Sequence, residues 1–143
     1  MIALVNQLYN NFFVKLFNKE LGWETGNIKC MFCTPAFILD MSHNTVSDIS
    51  GEVQGGSYQA GGYVLEERVV EVNSQEAVLK AADLLLQDVT VSDVRYVVIY
   101  KDTGDPATSP LLCVVDLEET FGVTNGNFMV KFDEAGIVRF GQV

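Results

Sequence analysis

The sequence predicts a mainly β protein: an antiparallel β-sandwich or barrel with one N-terminal amphipathic α-helix. Three observations lead there. Helical spacing of apolar residues is clearest in the opening segment. After Gly22 the pattern changes to alternation in short runs separated by turn signals. The C-terminal half holds strand-like runs with no helical pattern between them, which favours antiparallel pairing over a helix-covered parallel sheet. The chain has 143 residues, 48% of them apolar and 20% charged, enough for one cored domain spanning residues 1–143.

The helix is expected at about residues 2–19. Val5, Leu8, Tyr9, Phe12, Phe13, Leu16 and Phe17 recur at helical spacing and form one apolar stripe. Asn6, Asn10, Asn11, Lys15 and Asn18 take the other side, Lys15 and Lys19 suit the C-terminal end of the dipole, and Gly22 supplies a stop. A stripe this rich in aromatic rings must dock on its own sheet or in a partner's groove. The polar residues that interrupt it speak against a signal peptide, and no apolar run is long enough to span a membrane.

The β domain is expected from about residue 27 to residue 143. Residues 25–27 mark a turn, and Ile28 to Phe32 alternates as a strand before Pro35 ends pairing. Residues 40–50 read as a polar loop, and residues 51–62 carry five glycines, the mark of a sharply turned connection. Residues 63–72 read as one strand. Over residues 76–86 the Ala, Leu and Lys content favours a helix by local propensity. Residues 94–100 form a β-rich run apolar on nearly both faces, followed by a turn-rich loop at 101–110 and a strand at 111–116. Residues 124–127 read as a turn, Phe128, Val130 and Phe132 share one strand face, and residues 133–136 close a hairpin onto 137–140.

Nine Lys and Arg against 19 Asp and Glu give a net charge of −10, and the sequence pI is about 4.3. A nucleic-acid binder needs clustered cations, and so does a polybasic membrane-surface protein. The three cysteines, Cys30, Cys33 and Cys113, read as packed thiols. Strand alternation sends Cys30 and Cys33 to opposite faces, against a zinc or thioredoxin-type pair. His43, the one histidine, lies in a polar loop without a nucleophile elbow beside it. Residues 55–62 lack the Lys-Ser or Lys-Thr of a phosphate loop. Asp116, Glu118 and Glu119 fit solvated charge and have no calcium-loop spacing. No catalytic residue, cofactor or metal is therefore expected.

Several segments together resemble a widespread family of small tailed-phage virion proteins. They are residues 95–104 (RYVVIYKDTG) with 107–112 (ATSPLL), residues 46–49 (VSDI) leading through Glu52-Val53 to 56–62 (GSYQAGG), and Asn125-Gly126-Asn127-Phe128 followed by Ala135-Gly136-Ile137. Trp23 and Ile28-Lys29 fit the family's opening, so the resemblance spans roughly residues 20–143. It implies a structural role in the virion, assembled in the host cytoplasm: a capsid decoration or cement protein, with a tail, neck or fibre-associated adaptor as the alternative. The partners implied are the major capsid protein or other virion subunits, with homo-oligomers such as trimers, and no enzyme activity. The family carries a strand and a tryptophan where this chain has residues 81–86, which makes 77–86 two short strands around Ala82-Asp83. A reading from a different class is a small-ligand or glycan-binding β domain. The candidate contact elements are the aromatic helix, the loop region 40–62 and the loop 101–110, with Phe12, Phe13, Phe17, Tyr58, Lys101 and Asp102 as the candidate partner contacts.

Overall fold

The computed structural model describes residues 2–3 and 5–141. Among these residues nine strands form two sheets: β1 (Ile2–Ala3), β2 (Val5–Leu8), β3 (Ile28–Cys33), β4 (Tyr63–Val64), β5 (Val69–Asn73), β6 (Glu76–Lys80), β7 (Leu84–Lys101), β8 (Leu111–Phe132) and β9 (Val138–Gly141). The larger sheet runs β1-β8-β7-β3-β4, with β2 also on β8, and the smaller runs β5-β6-β9. All pairs are antiparallel except β1 with β8. This is a mainly β, sandwich-like fold with one short N-terminal helix. No helix of the described residues is long and apolar enough to cross a membrane.

The hairpin of β7 and β8 dominates the molecule. Its register shifts repeatedly, and Asp88, Asp93, Glu118 and Asn125 adopt positive φ along it. Such bulges bend and twist a ladder. The bend carries the far end of the hairpin over the inner face of β3, where the Phe128 and Phe32 rings lie 5.5 Å apart. Ile28, Cys30, Phe32, Val97, Ile99, Cys113 and Val115 line that inner core together with Leu79, Val130 and Val138. The opposite face carries Met31, Cys33, Val98, Tyr100 and Val114, covered by Tyr9, Phe37, Met41, Val46 and Ile49. Two covered faces explain why residues 94–100 are apolar on both sides. They also bury both thiols of the Cys-x-x-Cys pair, on opposite faces as alternation requires.

Four expectations are corrected. The helix does not span 2–19: among the described residues of that span only α1, Phe12–Phe17, is helical, while residues 2–3 and 5–8 pair with β8, and residue 4 lies outside the described residues. The Asn10-Asn11 turn, held by the Asn10 amide on the Met41 carbonyl at 2.9 Å, separates strand from helix. A free sheet edge satisfies the backbone of 5–8 as well as a helix would. Residues 63–72 are not one strand. Between β4 and β5 the Arg68 guanidinium donates to the carbonyls of Trp23, Leu65 and Gly26, and Glu67 takes positive φ, so the chain crosses between sheets. Residues 124–127 are not a turn but a bulge inside β8, where the Asn125 amide donates to Thr90 Oγ1 at 3.0 Å. The turn at 133–136 forms, yet β9 pairs with β6 and not with β8.

The segment 77–86 follows the two-strand expectation and not its helix propensity. The Trp23 indole donates to the Lys80 carbonyl at 3.0 Å, where β6 ends. Asp83 Oδ1 accepts the Phe132 amide at 2.8 Å just before β7 begins.

Candidate interaction surface

Helix α1 is short but densely aromatic. Phe12 is fully enclosed (0% exposed) and belongs to the inner core, so it is not available to a partner. Phe13 is 42% exposed and Phe17 79%. Phe13 packs edge-on against Phe140 of β9 at 5.5 Å and stacks near Phe17 at 6.3 Å. Sheet register extends the row: Phe140 stands opposite Ala77, and Ala77 opposite Val72. Val72, on the edge strand, is 82% exposed. Phe17, Phe13, Phe140, Ala77 and Val72 thus form a continuous apolar strip at one open end of the sandwich. A groove at this end is lined by Val72, Ser74, Gln75, Glu76, Ala77, Phe140 and Gly141.

The other expected contacts sit elsewhere and have internal partners. Tyr58 is half-buried. Its hydroxyl donates to Glu52 Oε2 at 2.7 Å and accepts the Phe32 amide at 3.1 Å. Burial, followed by the Glu52 carboxylate, pushes its ionisation well above the usual phenol range. Glu52 Oε2 also accepts the Gly61 amide at 2.7 Å, and the Tyr100 hydroxyl donates to the Gly61 carbonyl. These bonds clamp the glycine-rich loop onto the larger sheet. Lys101 Nζ donates to the Glu20 carbonyl at 2.7 Å. Asp102 pairs with Lys29 at 2.7 Å, and the Lys29 bond and the Gly104 amide hold its carboxyl below the usual range.

Segments distant in sequence are tied together here. The Val46 amide bonds the Ser109 carbonyl at 3.0 Å, the Ser47 amide the Pro106 carbonyl at 3.1 Å, and the Leu111 amide the Asn44 carbonyl at 3.0 Å. Asp48 closes a capping box on the short 3-10 turn Val46–Asp48, accepting the Asn44 and Thr45 amides. Those two backbone bonds, with the Asn44 and Thr45 amides ahead of the turn, lower its ionisation. His43 lies in the same loop, with Nε2 3.6 Å from Asp40 Oδ2.

The sequence reading missed Phe140 and Val72 as parts of the exposed strip. Their alternation marked strands, but nothing local shows that β9 returns to β6. Comparison of the chain with family models, with curated proteins and with solved structures yields no match.

Proposed function

We propose that this protein is a bacteriophage virion component that acts by adhesion: a decoration or cement protein that binds the major capsid protein and stabilises the shell. The observation that carries adhesion is the apolar strip of Phe17, Phe13, Phe140 and Val72, left open on a strongly acidic chain. Exposed contiguous apolar surface costs solubility and marks interaction sites. The virion setting comes from the resemblance of residues 46–62 and 95–112 to small virion proteins. Two of its segments, 46–49 and 107–112, are joined by the Val46 amide on the Ser109 carbonyl, which suits a shared fold.

The physical logic is multivalency. Copies arranged about a symmetry axis, as trimers or repeated monomers, convert modest contacts into high avidity. A net charge of −10 keeps free copies apart until they meet the shell. The test is the copy number in particles purified from the phage that encodes the chain. Hundreds of copies are expected. A dozen or fewer would indicate the tail or neck adaptor instead, and absence from mature particles would end the reading.

A further inference from the structure

Strand β5 is the outer edge of the smaller sheet. The two-residue turn Ser74-Gln75 makes Asn73 and Glu76 the closing pair with β6, and Val70 and Val72 alternate with it. In an antiparallel ladder this parity aims the amides and carbonyls of Val70 and Val72 away from β6, toward the free edge. The Val70 amide confirms the direction, because it donates outward to Glu24 Oε2 at 3.0 Å. The side chains of Val70 and Val72 share the sheet face with Leu79, Ala77, Val138 and Phe140, and at the edge that face is open. A free strand edge beside an apolar strip is the geometry for strand addition.

Charge selects what fits. Glu24, Glu66, Glu67 and Glu71 are all exposed: Glu71 lies in β5, Glu66 and Glu67 shortly precede it in the chain, and Glu24 meets the Val70 amide. Lys80 answers Glu71 at 3.0 Å, and the Arg68 guanidinium is spent on three backbone carbonyls. A second copy would bring the same carboxylates face to face. An extended segment with apolar residues on one face and Lys or Arg on the other meets both the strip and the carboxylates.

We propose that the β5 edge takes up an extended segment of a partner subunit, alternating apolar and basic residues, as a fourth strand of the smaller sheet. This deepens the adhesive reading and rests on it for the partner's identity. The added strand bonds the outward groups of Val70 and Val72, displaces the Glu24 carboxylate from the Val70 amide, and lays its apolar face beside the Val70 and Val72 side chains, at the end of the strip.

The test uses the full chain and a blocked decapeptide of alternating Lys and Val, with an alternating Glu and Val peptide as control. The Lys-Val peptide is expected to slow hydrogen exchange at the Val72 amide by about tenfold or more, with the Glu-Val peptide inert. Binding should weaken about tenfold in the Glu66→Lys/Glu67→Lys variant and between low and physiological salt. Val72→Pro removes the outward amide at an edge position that tolerates proline, and should abolish binding of the Lys-Val peptide in titration calorimetry. An unchanged Val72 amide, equal effects of both peptides, or a dimer in sedimentation that Val72→Pro dissolves would each overturn the proposal. In particles, wild type incorporated and Val72→Pro excluded supports it. Both incorporated equally overturns this site and leaves the adhesive reading standing. Neither incorporated defeats the adhesive reading and the partner assigned here with it.

Discussion

The Tyr58 hydroxyl and the Glu52 carboxylate, 2.7 Å apart, form the bond on which the glycine-rich loop is hung. The same hydroxyl receives the Phe32 amide at 3.1 Å and the same carboxylate receives the Gly61 amide at 2.7 Å. Tyr58→Phe leaves the amide of the buried Phe32 and the half-buried Glu52 carboxylate each short of a partner. The expected loss is about 1–3 kcal/mol in urea unfolding. Glu52→Gln keeps one acceptor oxygen and should cost less. A double-mutant cycle should return a coupling above about 0.5 kcal/mol, and strict additivity would mean the bond contributes nothing.

Two glycines in this loop separate backbone strain from crowding. Gly62 has φ +88°, and a Cβ there would fall on the Cys30 carbonyl. Gly55 has φ +86°, with nothing within 4 Å of the same atom. Gly55→Ala should cost about 1 kcal/mol, the penalty of the left-handed region alone. Gly62→Ala must also push β4 away from β3, and should cost more than about 4 kcal/mol or abolish folding. Thermal melts of both variants check the contrast, and equal midpoints would refute it.

How far the sequence showed this fold follows from the range of the interactions. The runs at 28–32, 94–100 and 111–116 were legible because alternation and β-branched content are local properties. The buried thiols on opposite faces followed from the same period. The length of α1 was not legible, because Leu8 fits both a helical stripe and a strand beside Cys113. What decides between them is the distant edge of β8. Residues 124–127 looked like a turn because turn chemistry is local, while their use as a bulge depends on the pairing of Gly126 with Val89. Phe13 and Phe17 could be named from the sequence. Their continuation through Phe140 to Val72 needed the register of three strands.

The three phenylalanines of α1 should grade in their effect on folding. Phe12 is enclosed, so Phe12→Ala should cost about 3–5 kcal/mol. Phe17 is mostly in water, so Phe17→Asp should shift stability by no more than about 0.5 kcal/mol. Phe13→Asp should fall between, because the ring packs against Phe12 and Phe140 while the rest of it stays in water. Chemical denaturation gives the order. Particle incorporation then separates folding from adhesion: Phe17→Asp should fold normally and bind poorly. Full incorporation of that variant would remove Phe17 from the interaction surface.

Alkaline pH should unfold the protein through its thiols. Burial pushes Cys30, Cys33 and Cys113 from 9.0 up to about 12, because a thiolate in the apolar core loses its hydration. Between those values the unfolded chain gives up thiol protons that the folded chain retains. The unfolded state is therefore favoured as pH rises, and the stabilisation present below pH 9 is lost on the way to about 12. Each thiol contributes a slope of about 1.4 kcal/mol per pH unit, so the three together approach about 4. Burial raises Tyr58 and Tyr100 as well, which steepens the fall once free phenols ionise. Urea unfolding measured from pH 8 to pH 11 should show this decline, and Cys113→Ala should remove about a third of the thiol part while lowering the curve at every pH. Native thiols should react with a thiol reagent only as fast as the chain opens. A flat stability profile across this range, or fast labelling of the native protein, would mean that the three sulfurs are more accessible to water than their packing in the two cores allows.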